Sequence, residues 1–290
     1  MKKKNWFLLV SIAACMVIFL GYRAAGVIGN DTKAPDIDVN ADILQVSVQD
    51  PREVLLQGVT ATDNRDGDVT ASLVVESVRL VDPNGTVSVG YAAFDSAGNV
   101  AKTTRRVQYI DYESPRFSLS GPMVFAEGSN FDVLSVISAQ DMLDGEITHR
   151  IRATSLTEGS IAQPGTHNVE FRVTNSLGET VKLVIPVVVH AAGAYEANLT
   201  LTNYLVYVEA GSHFDAESYL DTFGRGTNKT YLKNGLPYNY SLYTEGEVDT
   251  NTPGVYSVDY SVTYTVPGMS GYDMGQSYTG YSKLIVVVEG

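Results

Sequence analysis

From Asp31 to Gly290, apolar and polar positions alternate in short runs rich in Val, Thr, Tyr and Ile, broken by Gly, Asp, Asn and Pro. Period-two alternation puts every second side chain on one face, so these runs predict β-strands with one covered face rather than helices. Gly85 is followed at every other position by Val87, Val89, Tyr91 and Ala93, Gly165 by His167, Val169, Phe171 and Val173, and Gly254 by Tyr256, Val258, Tyr260 and Val262. An aromatic residue recurs at one core position in each run. The three runs read as the same strand of three related units.

Other blocks support the repeat. Val59 to Thr70 lines up without gaps against Ile137 to Thr148, sharing a β-branched residue, Ala, Asp, Asp-Gly, an acid, a β-branched residue and Thr. Gly128-Ser129-Asn130-Phe131-Asp132 matches Gly211-Ser212-His213-Phe214-Asp215. Self-similarity of this kind sets the architecture before any single element does. We expect a mainly β chain of three tandem β-sandwich domains, at residues 31–112, 113–192 and 193–290. Units of about 80–95 residues suit seven-stranded sandwiches.

Residues 1–30 read as an address. Lys2, Lys3 and Lys4 precede Trp6 to Leu20, which is apolar apart from Ser11, and Arg23 ends the run. The run is near the lower length limit for a membrane-spanning helix, and the lysines would keep the N-terminus in the cytoplasm. A retained signal anchor is therefore expected, holding the domains outside the cell on a single-pass membrane helix. Two other fates fit: lipidation of Cys15 in Ile12-Ala13-Ala14-Cys15, or cleavage near Ala24-Ala25-Gly26.

Composition narrows the classes. The formal charge of −13 and the 20 Lys+Arg against 33 Asp+Glu argue against a nucleic-acid partner, which needs basic surface. The single cysteine excludes a disulfide framework, so apolar packing has to hold the sandwiches. The four histidines, His149, His167, His190 and His213, show no metal-ligand spacing, and no nucleophile elbow occurs. No enzyme activity is expected.

The run from Ala61, Asp63, Asp66, Gly67, Asp68 and Thr70 to Gly85, Val89, Tyr91, Ala93, Asp95, Ala97, Gly98 and Asn99 resembles a bacterial surface Ig-like domain family. It is the family named after a pesticidal crystal protein, close to the hyalin-repeat type. The second unit keeps the Asp-Gly stretch, but its later loop reads Asn175-Ser176-Leu177-Gly178-Glu179; the third keeps only the Gly254 strand. The resemblance is clear over 35–190 and weak over 195–290. It implies Ig-like sandwiches used as surface spacers or binding modules, without catalysis.

Two sets of residues carry candidate chemistry. Asp111 and Glu113 at the joint between the first two units, with Asp141, Asp144 and Glu146, form a carboxylate set suited to Ca²⁺. The same acids are also turn formers that bond to their own backbone. In the third unit Tyr231, Tyr238, Tyr240 and Tyr243, with Tyr272, Tyr278 and Tyr281, fall in Gly- and Asn-rich stretches. Tyrosine offers large contact area at low rotamer entropy, as binding loops require. The expected function is binding or adhesion through the third domain, to another surface protein or a glycan. The alternative is a structural spacer or envelope-assembly subunit with no small-molecule ligand.

Overall fold

The computed structural model describes residues 12, 14–21, 31–40, 42–191, 197–266 and 277–290. The chain is mainly β and divides into two compact units, Met1–Tyr112 and Glu113–Gly290.

In the first unit the strands are β1 (Asp36–Val39), β2 (Leu44–Val46), β3 (Val59–Asp63), β4 (Gly67–Asp68), β5 (Val74–Leu80), β6 (Thr86–Phe94) and β7 (Val100–Tyr109). They form two sheets, ordered β1-β3-β4 and β2-β7-β6-β5. The pair β2–β7 is parallel and the others are antiparallel. Val87, Val89, Tyr91 and Ala93 on β6 are each 0% exposed, as the alternation requires. Tyr91 keeps its hydroxyl satisfied by donating to the Leu55 carbonyl at 2.8 Å, in the 3-10 turn Arg52–Leu56.

The second unit begins with the same order of elements. Its strands are β8 (Arg116–Leu119), β9 (Val124–Ala126), β10 (Ile137–Asp141), β11 (Gly145–Glu146), β12 (Arg152–Ser155), β13 (Gly165–Thr174) and β14 (Thr180–His190). Their sheets run β11-β10-β8 and β12-β13-β14-β9, again with one parallel pair, β9–β14. Phe171 takes the place of Tyr91 and is fully buried.

A third set follows: β15 (Ala197–Leu201), β16 (Leu205–Glu209), β17 (Leu220–Arg225), β18 (Asn228–Tyr231), β19 (Tyr240–Glu245), β20 (Gly254–Thr265) and β21 (Ser277–Glu289). Here β18-β17-β15-β21-β20-β19 is one continuous sheet, with β16 also on β21. The junction is the parallel contact of Ala197 and Asn198 with Gly280 and Tyr281. A Cβ at Gly280 would lie 3.0 Å from the Ala197 carbonyl oxygen, so a residue without one is what lets β15 come this close.

The Gly-Ser-x-Phe-Asp block marks a local device. Asp132 accepts from the Leu134 amide at 2.9 Å and Asp215 from the Glu217 amide at 3.1 Å, each capping a 3-10 turn.

Within the second unit the two strand sets share apolar packing. Leu205 and Ile285 belong to the same buried cluster as Phe117, Phe171 and Ile185, and Tyr207 packs against it. The Phe117 amide donates to the Tyr207 hydroxyl at 3.0 Å, and Arg116 lies over the Tyr207 ring at 5.0 Å while pairing with Glu289 at 3.0 Å.

The expected single-pass anchor is corrected. Among the described residues no helix is long and apolar enough to cross a membrane. The helical residues 14–21 rise only about 12 Å at ~1.5 Å each, against a hydrocarbon core of ~30 Å. Cys15 is exposed and unpaired within this helix.

Candidate functional site

The Asp-Gly stretch folds the same way twice. Gly67 and Gly145 adopt φ of +74° and +71°, the left-handed region that glycine enters without steric cost. Asp63 Oδ1 accepts from the Arg65 and Asp66 amides at 2.7 and 2.9 Å, and Asp141 Oδ1 from the Leu143 and Asp144 amides at 2.9 and 2.8 Å. The second acid of each stretch reaches across to the loop before the last strand. Asp66 accepts from the Ser96 amide and hydroxyl at 2.6 and 2.9 Å, and Asp144 from the Ser176 amide at 2.7 Å. Thr70 and Thr148 each accept the Ala61 or Ala139 amide at 3.0 Å. These bonds assign the repeated acids to turns and loop ties.

The five carboxylates proposed for Ca²⁺ each have partners of their own. Asp111 accepts from the Ser47 hydroxyl at 2.6 Å and the Val48 amide at 2.9 Å, which hold its carboxyl below the usual carboxylate range. Glu113 pairs with Arg116 at 3.8 Å. Asp141 Oδ2 accepts from Asn175 Nδ2 at 3.0 Å. Asp144 pairs with Arg150 at 2.6 Å, and Glu146 accepts from the Thr148 amide at 3.0 Å.

A different acidic group assembles in the first unit. Carboxylate oxygens of Asp31, Asp63 and Asp95 lie within 4.8 Å of one another. Asp63 and Asp95 are each 9% exposed. Asp95 accepts from the Asn99 amide and side-chain N–H, both at 2.7 Å. Burial pushes the Asp95 carboxyl upward, but these donors outweigh it and hold it below the ordinary range. Asp63 is also held low, first by the Asp66 and Arg65 amides. Sequence reasoning missed this group because the three residues are far apart in the chain. The available signal was that Asp63 and Asp95 both stand in the run that carries the family resemblance.

The tyrosines divide by environment. Tyr231, Tyr238 and Tyr243 are 71%, 93% and 64% exposed. Tyr240 packs inward instead, edge-on to Phe223 with centroids 5.5 Å apart, and 4.8 Å from the Tyr264 ring. Tyr278 lies under the Arg225 guanidinium at 4.8 Å, and Tyr281 stacks on His190 at 4.3 Å. Tyr272 lies outside the described residues.

Strand register brings two of these tyrosines into one rank. Tyr243 pairs with Ser261 and Ser261 with Tyr281, so Tyr, Ser and Tyr stand side by side across β19, β20 and β21. The next rank on that face is Glu245, Asp259 and Lys283. Lys283, only 2% exposed along its side chain, pairs with Asp259 at 2.6 Å. Tyr243, Ser261, Tyr281, Glu245, Asp259 and His190 line a cleft of about 330 Å³ whose other wall includes Val124, Thr166 and Val188 from the preceding strand set. Burial holds the His190 imidazole below its usual range, against the pull of Asp259 and with a further push from Lys283. The cleft has two tyrosines around a serine, one imidazole and two acids, a set suited to binding by stacking and hydrogen bonding.

No family model matches the chain. It is similar to the pesticidal crystal protein Cry22Aa of Bacillus thuringiensis, at 27% identity over 208 residues, which are 70% of this chain and 27% of that protein. The chain thus spans about a quarter of that relative's length. The resemblance seen in the repeats is accordingly met by a distant sequence similarity. Among solved structures it is similar to the CBM51-2 and INT domains of Clostridium perfringens ZmpB in complex with GlcNAc, at 12% identity and TM-score 0.22, covering 88% of this chain and 44% of that one. The extracellular cadherin domains 1–5 of protocadherin Gamma B2 give 12% identity and TM-score 0.19, covering 90% and 61%. The lipoprotein BT2262 of Bacteroides thetaiotaomicron gives 12% and 0.23, covering 59% and 99%.

Proposed function

We propose that this chain is a non-catalytic binding protein made of three tandem Ig-like β-sandwich modules, at 31–112, 113–192 and 193–290, that engages its partner through the third. The observation that carries this reading is the Tyr243–Ser261–Tyr281 rank lining a cleft of about 330 Å³, with Tyr231 and Tyr238 exposed elsewhere in the same strand set. Aromatic side chains held by a sheet present contact area with little entropy left to lose on binding. The partner is a glycan or another surface protein.

The test is binding of the full chain and its variants to a glycan array and, separately, to surface proteins in a pull-down. Replacing Tyr243 and Tyr281 by Ser is expected to weaken binding by about 30-fold or more, as for central aromatic anchors. Wild-type binding in neither assay, or binding indifferent to those replacements, would move the assignment to the spacer role.

A further inference from the structure

We propose that Asp31, Asp63 and Asp95 form a binding site for a hard divalent cation of the Ca²⁺ class in the first unit. Three features point there. The carboxylates converge to within 4.8 Å, and two belong to residues only 9% exposed. The third, Asp31, has its side chain 10% exposed. Like charges do not gather under cover without compensation. Arg65 Nε lies 3.7 Å from Asp31 Oδ2, on a side chain 46% exposed, where solvent screens the pairing.

The second feature is an orphaned atom. Asp63 Oδ1 is occupied by the Arg65 and Asp66 amides, but Asp63 Oδ2 is buried and has no hydrogen-bond partner. A buried carboxylate oxygen left this way costs free energy unless a donor or a cation meets it. The turn amides pin Asp63, and the Asn99 amide and side chain pin Asp95, so the two carboxylates are held where they stand.

The third feature is an internal control. The repeat places Asn175 where the first unit has Asp95, and Asn175 Nδ2 donates to Asp141 Oδ2 at 3.0 Å. The second set thus fills with an amide the position that the first set leaves to charge. Asn99 Nδ2 donates to the Asp31 and Lys33 carbonyls at 3.1 and 3.4 Å and to Asp95 Oδ2 at 2.7 Å, which ties the segment carrying Asp31 to Asp95. An all-carboxylate set, with neither imidazole nor thiolate in the group, selects Ca²⁺ over zinc-like ions.

The experiment is calorimetric titration of CaCl₂ into the chelator-treated full chain, with thermal melts in parallel. Wild type is expected to bind one ion here, with Kd between about 10⁻⁶ and 10⁻³ M, and to melt higher with calcium. Asp95→Asn is expected to abolish that binding and raise the melting temperature of the chelated protein, because its amide can serve Asp63 as Asn175 serves Asp141. Asp63→Asn is a second variant expected to lose binding, and Glu146→Gln is expected to keep it. Absence of calcium heat and of any melting shift up to about 10 mM, beyond the range of protein calcium sites, would overturn the proposal. So would binding that survives both aspartate variants.

Discussion

Asn175 donates its side-chain N–H to Asp141 at 3.0 Å, between residues only 4% and 3% exposed. That bond ties the Asp-Gly turn of β10–β11 to the loop before β14. The same donor meets the Asp141 oxygen that the turn amides leave over, so both carboxylate oxygens of this buried acid have hydrogen-bond partners.

Replacing Asn175 by Asp should therefore put two carboxylates face to face. At pH 7 in chelator the variant should lose about 2–4 kcal/mol of unfolding free energy, the range for an uncompensated buried charge. The loss should shrink as pH falls, because a protonated Asp can again donate to Asp141. Urea unfolding at neutral and mildly acid pH checks this; an equal loss at both would count against it.

Tyr91 and Tyr260 use the same device. Each donates its hydroxyl to a 3-10 turn carbonyl, Leu55 at 2.8 Å and Ala216 at 2.7 Å. Arg105 also donates to the Leu55 oxygen at 2.8 Å, so Tyr91→Phe should cost only about 0.5–1 kcal/mol while Tyr260→Phe costs about 1–1.5. Phe171→Ala, which empties the matching core position, should cost about 3–5 kcal/mol. Chemical denaturation of the three variants gives the ranking directly.

Acid should weaken the fold through its turns. Asp63, Asp68 and Glu146 are held below their ordinary values by amide and hydroxyl donors, and in Asp95 and Asp144 such donors overcome burial. A depressed folded pKa gives stability that is present above the unfolded value, 3.8 for Asp, and lost as pH falls through the folded value. The urea midpoint should stay level down to about pH 5 and fall below about pH 4. A midpoint that rises in this acid window would contradict the assignment.

Alkali should act through the core. Burial raises the hydroxyls of Tyr91, Tyr109, Tyr204, Tyr207 and Tyr260 above 10.0. Their contribution is complete below pH 10 and is lost as pH rises through the folded values. Phenolate absorbance should show an early step from exposed tyrosines and a later one that coincides with loss of the β circular-dichroism signal.

The exposed tyrosines should be separable from the fold. Tyr231→Ser and Tyr238→Ser should change stability by less than about 0.5 kcal/mol. Tyr240→Ala, which removes the ring packed on Phe223 and Tyr264, should cost about 2–4 kcal/mol. Thermal melts of the three variants distinguish surface from core.

The amino-acid sequence by itself determined the local part of this protein. Alternation after Gly85, Gly165 and Gly254 is a period-two signal that backbone geometry converts to a buried face, and Val89, Val169 and Val258 are at most 2% exposed. The Asp-Gly turns were equally legible, because Asx bonds and a positive-φ glycine span only a few residues. The apolar run before Leu20 was legible as an anchor, and the structure does not uphold it.

Only the tertiary structure decided the rest. Leu205 and Ile285 alternate like any strand residue, and nothing local tells that they complete the core around Phe117 and Ile185. Tyr243 and Tyr281 become neighbours through Ser261 by strand register. Asp31, Asp63 and Asp95 meet only once three separate stretches of chain, one of them the end of β3, are folded together. Period and turn chemistry act over a few residues, whereas convergence depends on how sheets close, and a distant pairing leaves no local pattern in the chain.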